Sequence, residues 1–213
     1  MNRVVRALLV ASVVLAASAG AVLVTVGSQG REVAYPFRGN AGVNAVRCQD
    51  LVLASELRPT KANPVIEIVQ WEWFASTTTT EGFFHNFSIK VCHTDRTALT
   101  ADFNDNYGSF TPVTVYTLAS QYLKPDPNDW FGIPFLTQFY YNGYSNVIFE
   151  VEWNGDTGGY THTYWSAAPA RCVYNYNGGT PAVHDYVHYM RITIHYIPGV
   201  APTSLGRVKA LYS

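Results

Sequence analysis

Charge is what this sequence has least of. Its 213 residues carry 14 Lys+Arg and 15 Asp+Glu, 14% of the chain, where about 25% is usual for a soluble domain. That scarcity argues against charge-driven disorder and against a basic nucleic-acid-binding face. The net charge of −1 names no charged partner. Cysteine is scarce too: Cys48, Cys92 and Cys172 lie far apart with no CxxC, CxxCH or Cys/His finger spacing. Haem attachment, a redox dithiol and a zinc finger therefore lack support. There is no GxSxG elbow, no GxGxxG and no phosphate-loop lysine, so serine-hydrolase and nucleotide chemistry lack their motifs. What is plentiful is aromatic: 5 Trp, 15 Tyr and 11 Phe, alongside 16 Gly and 11 Pro. Such side chains suit a pleated, half-buried surface, and a helical bundle does not fit.

At the N-terminus Arg3 and Arg6 precede an uncharged apolar run from Ala7 to Val26, which passes through Ala17-Ser18-Ala19. Basic flank, apolar run and small-x-small site together spell a secretory signal peptide. An uncleaved helical anchor is the rival, since roughly 20 apolar residues span a bilayer. Either reading puts the rest of the chain outside the cytoplasm, secreted or at the cell surface, with membrane contact only through residues 7–26 if they stay attached. An exported compartment allows one disulfide. Cys92 and Cys172 both lie in strand-like segments and are the candidate pair; three buried unpaired thiols are the alternative.

The expected organisation is a signal or anchor at 1–26, a linker at 27–44, a β-sandwich domain at 45–198 and a tail at 199–213. Eight strand candidates follow one another: Ile66–Phe74, Phe84–Cys92, Pro112–Leu118, Trp130–Leu136, Asn146–Trp153, Tyr160–Trp165, Arg171–Tyr176 and Val187–Ile197. Phe87, Ile89 and Val91 oppose Asn86, Ser88 and Lys90, the period of two of a strand packed on one side. Asn142-Gly143, Asn154-Gly155 and Asn177-Gly178-Gly179 supply turn chemistry. Thr94–Phe103 is the one short helix candidate after the apolar run. Strands at this spacing predict an all-β, antiparallel two-sheet sandwich, jelly-roll-like.

Several segments carry a further likeness. Arg47-Cys48-Gln49 through Ala54-Ser55-Glu56-Leu57, Phe87-Ser88-Ile89-Lys90-Val91 with His93-Thr94, and Leu99 with Phe103 are three of them. Thr111–Tyr116, Phe139–Gly143 and Ser145–Val151 are the others. Together, over roughly residues 45–195, they resemble a β-sandwich module of secreted, often multidomain surface proteins of Bacteroidetes-like bacteria. The resemblance implies an extracellular role with no established chemistry and no catalytic residues to carry over. Cys48 and Cys92 depart from its pattern. Ala201–Ser213 resembles short tails of exported proteins, and reads equally as a frayed end.

Candidate chemistry is thin. Glu150 and Glu152 sit about 7 Å apart along one strand, within the span of a glycosidase pair, yet alternating Glu opposite an apolar face is the pattern of a solvated strand side. Asp102, Asn104 and Asn106 place oxygens at alternate positions like the start of a calcium loop, which would make calcium a structural ion, while an Asx-rich turn closing Thr97–Phe103 is the preferred reading. Tyr107 and Val113 stand where an EF-hand needs Gly and Glu, so that motif is excluded. His184 and His188 are four residues apart in a strand-like run, roughly 13 Å, too far to share an ion. Trp71 and Trp73 read as core. Tyr160 and Tyr164, with Tyr174 and Tyr176, form a tyrosine ladder able to stack on sugar rings or on another protein.

The expectation is therefore a non-enzymatic structural or adhesive protein of the cell surface or an extracellular assembly, partnered by itself or by other envelope proteins. A carbohydrate-binding module using the tyrosine ladder on a polysaccharide, with calcium as its structural ion, is the alternative. A hydrolase built on Glu150 or Glu152 comes third.

Overall fold

The computed structural model describes residues 21–40, 42–57, 66–155 and 158–196. Among these, eleven strands run in order: β1 (Ala21–Val26), β2 (Arg31–Val33), β3 (Ala45–Val52), β4 (Ile66–Thr80), β5 (Gly82–Thr94), β6 (Val113–Leu123), β7 (Trp130–Tyr141), β8 (Asn146–Asn154), β9 (Tyr160–Tyr176), β10 (Ala182–His188) and β11 (Met190–Tyr196). A four-residue helix, α1 (Ala54–Leu57), and a 3-10 turn, Asp105–Tyr107, are the helical pieces. Every strand pairing is antiparallel. The fold is an antiparallel all-β half-barrel sandwich of jelly-roll-like form.

Strand β4 makes it a half-barrel. Its first half pairs with β11 and β7, and with β1 beyond β11 these strands form one sheet. From Ala75 onward β4 leaves that sheet and pairs with β9 of the second, whose order continues β9-β3-β8-β5-β6. One strand thus belongs to both sheets and closes one side of the sandwich. Between the sheets lies the main core. Trp71 and Trp73 are fully buried with ring centroids 4.1 Å apart, and Trp71 reaches Phe149 of the opposite sheet at 5.1 Å. Burying a side chain such as Phe149 contributes about 1.5–3 kcal/mol.

The outer face of the second sheet has its own cover. Leu99, Phe103 and Tyr107, from the segment between β5 and β6, pack on Leu51, Cys92, Ile148 and Val173. That segment is not the helix expected over Thr94–Phe103. Asn106 Oδ1 accepts from the Thr100 backbone N–H at 2.7 Å, and Asp102 Oδ1 from those of Asn104 and Asp105 at 2.8 and 3.1 Å. Side chains that capture backbone donors in this way compete with helix formation.

Other departures follow the same logic of tertiary contact. Ala21–Val26, expected inside an apolar signal or anchor helix, is a strand registered residue for residue on β11; residues 1–20 and 197–213 lie outside the described residues. The segment 27–44 carries β2 and the buried Tyr35 and Phe37, with Phe37 edge-on to Trp73 at 4.8 Å. Tyr160–Trp165 and Arg171–Tyr176 are one strand, because the irregular Ala170, at positive φ, has its N–H satisfied by Asp185 at 2.9 Å. The expected Val187–Ile197 strand is instead split between β10 and β11 at Tyr189. Strand β3, unanticipated, is central.

Candidate metal centre

The second sheet brings together side chains that are far apart in sequence. Strand β3 places Cys48 and Asp50 two residues apart, hence on one face. Asp50 is registered opposite Cys172 of β9, and Cys48 opposite Tyr174. His188, the last residue of β10, completes the group. All four residues are fully buried. The donor atoms of Cys48, Cys172 and His188 lie within 4.8 Å of one another, so the three could hold a metal ion. The two Sγ atoms are 3.9 Å apart, and all three cysteines of the chain are free thiols.

The imidazole is held at both nitrogens. His188 Nδ1 meets Asp50 Oδ2 at 2.7 Å and Oδ1 at 2.9 Å, while Nε2 meets the Tyr35 carbonyl at 2.9 Å. Two acceptors on one ring require a proton at each nitrogen, the imidazolium form. Burial alone would disfavour that charge, but the Asp50 carboxylate outweighs it and holds His188 up at about 10. Burial pushes both thiols in the opposite sense: Cys48 lies above its ordinary value and Cys172 well above. Thiol, imidazole and carboxylate in one group resemble a nucleophilic triad, yet these thiols are protonated and have no exposed surface. A reactive cysteine needs the reverse on both counts.

The expected pairing of Cys92 with Cys172 does not occur. Cys92 belongs to the outer-face cluster beneath Leu99 and Phe103, whereas Cys172 belongs to the core between the sheets. Successive strand residues point to opposite faces, and that parity separates the two thiols. His188 does not meet His184 either, in agreement with their strand spacing; its partner is Asp50, in a strand outside the eight expected.

The oxygen set at Asp102, Asn104 and Asn106 closes turns. Beyond the contacts already given, Asn104 Oδ1 faces Arg47 at 3.4 Å, and the fully buried Asn106 donates to Gln49 Oε1 at 2.9 Å. Among the described residues, the donors that come together as a possible metal group are thiols and an imidazole.

The four tyrosines are not one platform. Ten residues, interrupted at the irregular Ala170, separate Tyr164 from Tyr174 on the same strand. Tyr160 contacts His162, Tyr164 packs at 5.9 Å from Phe74, and Tyr174 is sandwiched between Tyr35 at 4.1 Å and His184 at 4.4 Å. Tyr176, 50% exposed, is the open member.

Glu150, expected on a solvated strand side, is fully buried. The segment between β5 and β6 roofs it, and Tyr107, Gln49, Arg47 and Lys90 donate to its carboxylate at 2.6, 2.8, 2.9 and 3.0 Å. Every donor comes from the chain itself, which makes the carboxylate a fastening. Glu152, paired with Lys90 at 3.0 Å, remains partly exposed at the rim of a 320 Å³ depression that Arg47, Asn154 and Asn175 also line.

No protein-family model and no curated protein matches the chain. Among solved structures it is similar, at 11% identity and a TM-score of 0.28, to the infectious bursal disease virus Gt strain structure. The similarity covers 92% of this chain and 49% of that one. The present chain thus spans about half the length of the viral protein.

Proposed function

We propose that this chain is a non-catalytic structural module of a cell surface or extracellular assembly, joined to further copies of itself along an open sheet edge. The observation that carries this reading is strand β6. Among the described strands it ends the second sheet, forming a ladder with β5 alone, while β7 runs near it without pairing. Over eleven residues, VTVYTLASQYL, it has no charged residue and no proline. Edge strands are ordinarily blunted by such residues, because their open N–H and C=O groups template pairing with another chain. Leu118 and Tyr122 on this strand and Phe83 beside it are each 43% exposed, an apolar margin next to those groups. The low overall charge removes long-range repulsion between copies.

Export rests on the N-terminal pattern. With Ala21–Val26 engaged in β1, the uncharged run left for an anchor is residues 7–20, short of the roughly 20 needed to span a bilayer. Cleavage after Ala17-Ser18-Ala19 would leave β1 whole, which favours a signal peptide over an anchor. No helix among the described residues is long and apolar enough to cross a membrane. The resemblance of residues 45–195 to exported surface modules points the same way. Sugar binding has less support, since the tyrosines offered for it are dispersed.

Sedimentation of the mature chain over a wide concentration range, with electron micrographs of the concentrated sample, tests the reading. Concentration-dependent assembly that Leu118→Lys and Tyr122→Lys abolish, with the melting temperature unchanged, supports it. A wild-type chain that stays monomeric and featureless at the highest concentration sinks it.

A further inference from the structure

Ionisable groups are costly inside an apolar core unless each is paired or bound to a metal. Four of them meet between β3, β9 and β10. We propose that Cys48, Cys172 and His188, completed by Asp50, are the ligands of a structural divalent ion of the zinc class. Two thiols and an imidazole are the donor set that selects such ions over calcium or magnesium.

The spacing fits. In a tetrahedral site with metal–sulfur bonds of about 2.3 Å, two thiolate sulfurs stand about 3.8 Å apart; Cys48 Sγ and Cys172 Sγ are at 3.9 Å. A disulfide fits less well. Because Cys48 is registered opposite Tyr174 and Cys172 opposite Asp50, the cysteines are diagonal neighbours, with Cα atoms typically about 7–8 Å apart. Disulfides bridge about 4.4–6.8 Å.

The surroundings of the imidazole are those of a metal ligand. A ligating histidine donates its second N–H to a carbonyl or carboxylate, which fixes the ring. His188 Nε2 already faces the Tyr35 carbonyl at 2.9 Å. On the other side, the proton shared by Nδ1 and Asp50 at 2.7 Å occupies the place an ion takes when Nδ1 and the carboxylate both turn to it. Binding exchanges two thiol protons and that imidazolium proton for one dication. Cys48, Cys172 and His188 supply three ligands from three strands as they stand, and Asp50, outside that trio, turns from Nδ1 to the ion to close the fourth position. The ion's role is to pin the end of β10 and the Tyr35 segment against β3. A site this enclosed loads as the chain folds.

The test is zinc content and cobalt absorption of the untagged full-length chain, expressed with zinc or refolded with Co²⁺. About one zinc per chain surviving chelator dialysis is expected, as is a thiolate-to-cobalt charge-transfer band with tetrahedral visible bands. Cys48→Ser and Cys172→Ser should lose the band and Cys92→Ser should keep it. Asp50→Asn should keep the band but release zinc at least ~10-fold more readily; unchanged retention would remove Asp50 from the ligand set. Should a serine variant fail to fold, the wild-type spectrum still decides. A natively folded wild-type chain that holds neither ion, or a Cys48–Cys172 disulfide recovered from it by peptide mapping, overturns the proposal.

Discussion

Tyr107 donates its hydroxyl to Glu150 Oε2 at 2.6 Å, and through this contact the segment between β5 and β6 is fastened to the outer face of the second sheet. Gln49 reinforces the link by donating to both Glu150 and the Phe103 carbonyl, at 2.8 and 3.0 Å. Hydrogen bonds to a charged group contribute about 1.5–3 kcal/mol each. Tyr107→Phe should therefore lower the unfolding free energy by about that amount in urea titrations. Amide exchange over residues 95–110 should quicken more than exchange in β8. Glu150→Ala, which strands the Tyr107, Gln49 and Arg47 donors and leaves Lys90 with Glu152 alone, should cost about 3–5 kcal/mol.

His93 makes acid stability testable. Its ring packs 4.8 Å from Phe139, and its Nε2 accepts the Asn142 backbone N–H at 3.1 Å, so the neutral form is required. Burial lowers it to about 4. A histidine depressed in the folded state contributes stability that is full above its unfolded value, about 6.5, and is lost as pH falls toward 4. The urea midpoint should drop between pH 7 and pH 4.5, and His93→Gln should reduce that drop. An identical pH dependence in the variant would refute the assignment.

Gly132 faces Glu72 across the β4–β7 pair. A Cβ there would lie 2.3 Å from Glu72 Cγ and 2.8 Å from the Trp71 carbonyl oxygen. The Glu72 side chain is held by Arg191, and the backbone cannot move. Gly132→Ala should destabilise by about 1–3 kcal/mol, as overpacking does, visible as a lower melting temperature with unchanged circular dichroism.

Arg191 grips the buried Glu72 with two parallel contacts, Nε at 2.7 Å and Nη2 at 2.6 Å, and lies 4.6 Å over the Trp130 ring. Lysine cannot reproduce the planar fork. Arg191→Lys should cost about 1–2 kcal/mol in chemical denaturation, whereas Lys124→Arg, at the exposed pair with Glu81, should leave the denaturation midpoint unchanged.

Alternation along β5 and β8, the Asn-Gly turns and the aromatic composition together made an antiparallel all-β sandwich legible from residue order, because a strand with one buried face writes a period of two into its sequence. Trp71 and Trp73 were legible as core for the same reason. Strand β3 escaped, since its residues alternate between two buried faces: Cys48 and Asp50 face the inter-sheet core, while Gln49 and Leu51 lie under the outer cover. With no apolar-polar contrast there is no period to see. Glu150 read as solvated because nothing in β8 reveals that residues 95–110 roof it. The Cys48–Asp50–Cys172–His188 group joins positions up to 140 apart in sequence, and no spacing rule reaches across three strands. Local alternation determined what kind of elements form; which faces are covered, and which buried polar groups meet there, was decided only when long-range strand pairing set the register.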